Sequence, residues 1–193
     1  MKYRFRLWLA VFATAGFLSS CGPSSTPKVG ETRSIQLITR PDGLAYALDS
    51  SIPYTGEVTI FTAALTRQSV ATYQNGLLHG PSRRYWSNGS LKREDRSEAG
   101  NLIHQTQWYE DGTMKHDTEM QKGVSFGKIR LWWPDGRLRR SALVGPSLGL
   151  HGHLLEYAED GSILADAIFH HGQYISGKLP PESVANFITA QAH

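Results

Sequence analysis

The sequence predicts an all-β fold: an elongated antiparallel β-meander of about five 23–25-residue β-hairpin repeats, with a short C-terminal capping helix. Three observations carry that expectation. A unit recurs along the chain, consisting of a glycine, an aromatic five residues on, a turn glycine four further, and an apolar residue two beyond. Its leading positions, 56, 80, 104, 127, 152 and 177, are 24, 24, 23, 25 and 25 residues apart. The turn glycines follow Asn or Asp, as in Asn88-Gly89, Asp111-Gly112, Asp135-Gly136 and Asp160-Gly161. These dipeptides favour tight hairpin turns, because positive φ costs glycine little and Asn or Asp not much more. A regular period of this length marks a repeat array.

The chain opens with Lys2, Arg4 and Arg6 ahead of a twelve-residue apolar run, Leu7 to Leu18. That run is too short to cross a hydrocarbon core, which takes about 20 helical residues. A basic start followed by a short apolar stretch reads as an export signal over residues 1–20. Its removal would leave 173 residues carrying 17 basic and 17 acidic side chains, a neutral chain of one domain's length. Neutrality argues against nucleic-acid binding, which needs a basic footprint. One cysteine excludes an internal disulfide and a multi-cysteine zinc site.

Leu18-Ser19-Ser20-Cys21 resembles the lipobox of bacterial lipoproteins, and the resemblance implies a diacylglycerol on Cys21. The alternative is an ordinary signal peptide with Cys21 free. Lipid at Cys21 would tie the protein to a membrane, since several acyl chains anchor stably. Gly22, where an Asp resembles an inner-membrane retention signal, leans the expectation to the outer membrane facing the periplasm. Residues 21–31 then form a lipidated cysteine and a Gly/Pro/Ser-rich tether.

The units follow over residues 46–178. Three are complete: Gly80 with Tyr85, Trp86, Gly89 and Leu91; Gly127 with Trp132, Trp133, Gly136 and Leu138; and Gly152 with Tyr157, Gly161 and Ile163. One has His104 for the leading glycine, with Trp108, Tyr109, Gly112 and Met114, and is a residue shorter. The first, from Gly56 and Phe61, lacks a turn glycine, and a sixth starts at Gly177 without completion. Gly76, Gly100, Gly123 and Gly172 mark the connections between hairpins. A lone hairpin is marginal in water, so stacked units are expected to share a core of Tyr, Trp and Leu. Leu179-Pro180-Pro181-Glu182 breaks the pattern, and Val184, Phe187 and Ile188 form one helical face over 179–193, read as a cap or, less directly, a partner-binding helix.

Tyr73-Gln74-Asn75-Gly76-Leu77-Leu78-His79-Gly80 followed by Tyr85-Trp86-Ser87-Asn88-Gly89-Ser90-Leu91 resembles the variant membrane occupation and recognition nexus (MORN) repeat of the YwqK family of toxin–antitoxin system antitoxins. The resemblance covers about residues 46–178 and implies a repeat architecture without shared catalytic residues. It also implies an alternative role as an envelope immunity or antitoxin protein that neutralises a partner effector.

The primary expectation is a non-enzymatic, lipid-anchored module that binds a protein or envelope component, without a cofactor. Contact candidates are Arg83, Arg84, Tyr85, Trp86, Trp108, Tyr109, Trp132, Trp133, Arg139 and Arg140. Adjacent strand residues point oppositely, so one aromatic of each pair is expected to be exposed. The basic clusters read as cross-strand ion pairs, or alternatively as a strip for anionic lipid or an acidic partner. Gly145-Pro146-Ser147-Leu148-Gly149 matches the nucleophile elbow of serine hydrolases, but that elbow needs a strand-to-helix turn and none is expected there. His151, His153, His170 and His171 carry no accompanying carboxylate or cysteine pattern, so surface imidazoles are expected in place of a metal site. The association state is left open.

Overall fold

The computed structural model describes residues 35–121, 123–145 and 149–181. Cys21, the expected export signal and tether, Ser147 and residues 182–193 of the expected capping helix lie outside them. The described chain is all-β, with thirteen strands: β1 (Leu37–Thr39), β2 (Ala45–Ala47), β3 (Gly56–Phe61), β4 (Arg67–Gln74), β5 (Leu77–Tyr85), β6 (Leu91–Glu98), β7 (Asn101–Trp108), β8 (Met114–Gln121), β9 (Val124–Trp132), β10 (Leu138–Val144), β11 (Gly152–Tyr157), β12 (Ile163–His170) and β13 (Gln173–Lys178). Strands β3 to β13 form one eleven-stranded sheet in which every strand pairs antiparallel with its neighbours in sequence. The sheet is an open meander with β3 and β13 as its edges. Ten interstrand steps at about 4.8 Å make it roughly 48 Å across.

Pairing explains the spacing of the repeat. The aromatic and the apolar residue of each unit stand directly opposite each other: Tyr85 with Leu91, Trp108 with Met114, Trp132 with Leu138, and Tyr157 with Ile163. Such cross-strand pairs are the stabilising unit of a sheet. The turn between them is tight, as expected, but it is not the two-residue form that an Asn/Asp-Gly dipeptide most often makes. In the first complete unit the Trp86 amide donates to the Ser90 carbonyl at 2.8 Å and the Gly89 amide to the Trp86 carbonyl at 3.0 Å. Gly89 has φ +87°. This is a three-residue loop with one left-handed glycine and a bulge, recorded as a register shift next to Tyr85. Asn88 instead uses its side chain, whose Oδ1 accepts from the Ser90 amide at 2.8 Å. Asp111, Asp135 and Asp160 do the same in their own units. In the first unit Leu65, with φ +59°, occupies the glycine's place. A left-handed leucine costs on the order of 1–2 kcal/mol.

The two-residue turns lie at the opposite end of the sheet, where only connectors were expected. Asn75-Gly76, Ala99-Gly100 and His171-Gly172 have both residues at positive φ, as a type I′ turn requires. Gly80 and Gly127, two of the leading glycines, sit within strands at bulges. Around Gly127 the register passes from Thr118–Ile129 to Glu119–Phe126, which inserts two extra residues. Around His104 it passes from Arg96–His104 to Ser97–Leu102, which inserts one. The shorter bulge removes the need for a left-handed residue, so histidine fits there and the period contracts to 23.

The core differs from the expected Tyr, Trp and Leu spine. It gathers at one end as Ala142, Leu154, Ala165, Ala167 and Phe169, with Leu150 packed against it. Mid-sheet, the buried side chains are Ser97, Gln105, Thr106 and Thr118. A single layer cannot sandwich large apolar groups between two sheets, so its middle is held by the strand ladder and cross-strand pairs. Ahead of the repeat, β1 and β2 form a separate two-stranded sheet that begins before the expected boundary at residue 46. It docks through backbone bonds from Ala45 to Gly76, Gly76 to Tyr54, and Tyr54 to Ala45, each 2.8 Å.

Candidate functional site

Because the meander alternates, the three-residue loops all fall along one margin of the sheet. The second aromatic of each pair opens its loop and turns towards the next unit. Trp86 Nε1 donates to the Trp108 carbonyl at 3.3 Å, and the Tyr109 hydroxyl donates to the Trp132 carbonyl at 2.9 Å. Trp133 continues the series, but its buried Nε1 has no partner among the described residues. Each ring carries a cation from six residues further along: Lys92 Nζ is 4.1 Å from the Trp86 centroid, Lys115 Nζ 5.3 Å from Tyr109, and Arg139 Cζ 4.6 Å from Trp133. A cation over an aromatic face at this range is attracted by the ring quadrupole. The corresponding pairs in the outer units are Thr62 with Gln68 and Ala158 with Leu164, so ring and cation are present or absent together.

The result is three rungs, roughly 10 Å apart from two strand spacings. Both members of each aromatic pair are half-buried, which corrects the expectation of one exposed and one hidden ring. The second aromatic lies in the loop, outside the alternation of the strand, and it lies along the margin against the next unit. Beside the first rung, a concavity of about 510 Å³ is lined by Arg84, Tyr85, Lys92, Arg93 and Gln107 among others.

The basic candidates divide. Arg84 is exposed, and Arg139 caps Trp133. Arg83 is engaged by Glu94 across the β5–β6 pair at 2.7 Å. Arg140 is no surface contact at all: its side chain is 14 % exposed and bound to Glu156, itself 2 % exposed, at 2.8 Å. The two stand opposite each other on β10 and β11, so pairing register drives the arginine inward. Lys92 belongs to a basic cluster of the sequence but, like Lys115, is not among the contact candidates, although aligning the units residue by residue exposes the six-residue ring–cation offset.

Histidines were treated together in the sequence but separate in space. His153 pairs with Asp166 at 2.5 Å, and His104 with Asp117 at 3.0 Å. His151, His170 and His171 come together at the margin opposite the rungs. His116, on β8, has its pKa held below the ordinary 6.5, chiefly by burial; Asp117 opposes the shift, while Arg93 and Lys115 add to it. The unfolded imidazole therefore takes up its proton at higher pH than the folded one. The stability associated with neutral His116 is complete above about pH 6.5 and declines as pH falls below it. His116→Asn is expected to lose less stability than wild type between pH 7.5 and 5, read as the change in urea midpoint; equal losses would contradict that origin.

Fold and margin together define a class: an open, single-layer array of β-hairpin repeats with an aromatic–cationic edge. No protein-family model matches the chain, and no curated protein does either. Among solved structures, a chain from the crystal structure of a GtfA/B complex bound to UDP and GlcNAc aligns at 10% identity with a TM-score of 0.24. The alignment covers 69% of this chain and 27% of that one, so it spans little more than a quarter of the other protein. A likeness of that degree carries no functional argument.

Proposed function

We propose that the protein is a lipid-anchored, non-enzymatic repeat module of the MORN-like type that binds a protein or envelope component along its aromatic–cationic edge. The observation that carries this reading is the joint occurrence of ring and cation in the three central units and their joint absence from the outer ones. Hairpin stability alone does not demand the pairing, because the outer hairpins form without it. Half-buried aromatics, two of the three held in place by backbone bonds, lose little entropy on binding, and Trp, Tyr and Arg are the residues that dominate interface energetics. A row about 10 Å in period suits an extended partner segment, which advances about 3.3 Å per residue. The anchor rests on the lipobox resemblance at Leu18-Ser19-Ser20-Cys21, and the outer membrane on Gly22.

Two experiments test the halves separately. Palmitate labelling in cells is expected to vanish in Cys21→Ala, and retained label would refute the anchor. Crosslinked pull-down from envelope membranes is expected to lose its specific partner by about tenfold or more in the Lys92→Ala, Arg139→Ala double variant, which leaves the rings in place. Unchanged recovery would refute the edge.

A further inference from the structure

We propose that His151, His170 and His171 form a three-histidine site for a divalent transition ion of the zinc class. Their ligating nitrogens lie within 4.8 Å of one another. The ring centroids are 5.0 Å (His151–His170), 5.1 Å (His151–His171) and 4.3 Å (His170–His171) apart. A tetrahedral zinc with nitrogens at 2.0–2.1 Å holds them about 3.4 Å apart, so closure needs each nitrogen to move by an ångström or less. His170 and His171 are exposed and His151 half-buried, which leaves the χ angles free to make that adjustment.

The surrounding backbone is built to bring these residues together. In the second repeat, His79 Nδ1 accepts from the Ala99 amide at 3.4 Å; in the last, His151 Nδ1 accepts from the His171 amide at 3.5 Å. The units superpose in sequence at this point, so His170-His171 replaces Glu98-Ala99 opposite a histidine that both units share. The 3.5 Å contact is at the outer limit of a hydrogen bond, and a metal ion on either His151 nitrogen would replace it: at Nδ1 it takes the same lone pair, and at Nε2 it leaves the proton on Nδ1. Gly149 and Leu150 lie at the same end of the sheet. A Cβ on Gly149 would lie 2.9 Å from the Gly172 amide nitrogen, so only glycine allows this approach. The Gly172 amide donates to the Leu150 carbonyl at 2.8 Å and ties Leu150 to the histidine turn.

Three imidazoles without a carboxylate select zinc, copper or nickel over calcium or magnesium, which require oxygen ligands. Three protein ligands also leave one zinc position open to water or a partner's side chain. His153 is excluded from the set because it pairs with Asp166.

The test is titration of the untagged full chain in detergent, with zinc by calorimetry and with cobalt by visible absorption. One zinc per chain is expected, with the strong cobalt bands of a four-coordinate centre. Each of His151→Gln, His170→Gln and His171→Gln should weaken zinc about tenfold or more, while His153→Gln and His79→Gln should leave it unchanged. His170 and His171 are exposed, so their variants fold whether or not the site exists. Absence of stoichiometric binding, affinity unchanged by His170→Gln and His171→Gln, or an equal loss in His153→Gln would overturn the site.

Discussion

Glu156→Ala is expected to destabilise the protein by about 3–5 kcal/mol, because it strands the Arg140 guanidinium in a largely closed site without its counter-charge. Glu156 is 2 % exposed and Arg140 14 %, and one Arg140 nitrogen reaches both carboxylate oxygens, at 2.8 and 2.9 Å. The pair is already incompletely satisfied, since Arg140 Nε is buried without a partner among the described residues. Removing both charges should therefore cost far less than removing one. Arg140→Met with Glu156→Leu is expected to recover most of the loss, since buried ion pairs are often replaceable by apolar groups of similar volume. Urea midpoints decide it. A fall of about 1 M or more is expected for the single variant, and a double variant no better than the single would show that the pair contributes more than mutual neutralisation.

Leu154→Ala should cost about 2–5 kcal/mol, towards the upper part of that range. Leu154 is 2 % exposed at the centre of the apolar cluster, and its neighbours include Ala142, Ala165 and Ala167. Alanines have no side-chain freedom with which to fill a cavity, so the site collapses poorly. In a nearest-neighbour array the loss should also stay local. Hydrogen exchange is expected to accelerate over β10 to β12 while β5 to β7 keep their protection; uniform acceleration would mean that the sheet unfolds as one unit.

Much of this architecture was legible in the sequence because the repeat encodes it twice, in glycines and in aromatics. The Tyr85–Leu91 type of pair follows once each hairpin is registered on its turn. The turn type did not follow. Asn-Gly and Asp-Gly serve both a two-residue turn and a three-residue loop with a bulge, and only the register separates them. The connecting dipeptides hid the true two-residue turns, since Ala99-Gly100 and His171-Gly172 place non-glycine residues at positive φ where Asn is the usual signal. The core does not follow the aromatics of the repeat, because aromatic content does not by itself imply burial. In a single layer, burial goes instead to the residues that alternate inwards, as Ala165, Ala167 and Phe169 do on β12. Arg140 looks like its neighbour Arg139 in the sequence, but pairing with Glu156 buries it while Arg139 lies over Trp133. The β1–β2 sheet left no periodic trace, being two strands of three residues each.

The binding claim turns on which margin of the sheet meets the partner. A photo-crosslinking amino acid placed at Ser87, Glu110 or Pro134 samples the loops of the three rungs; placed at Asn75, Ala99 or Gly123, it samples the opposite margin. All six positions are exposed and lie in turns. Ultraviolet crosslinking in intact cells is expected to capture a common adduct from the first three positions and not from the second three. Adducts arising only from the Asn75, Ala99 and Gly123 margin, or none from the rung loops, would contradict the account.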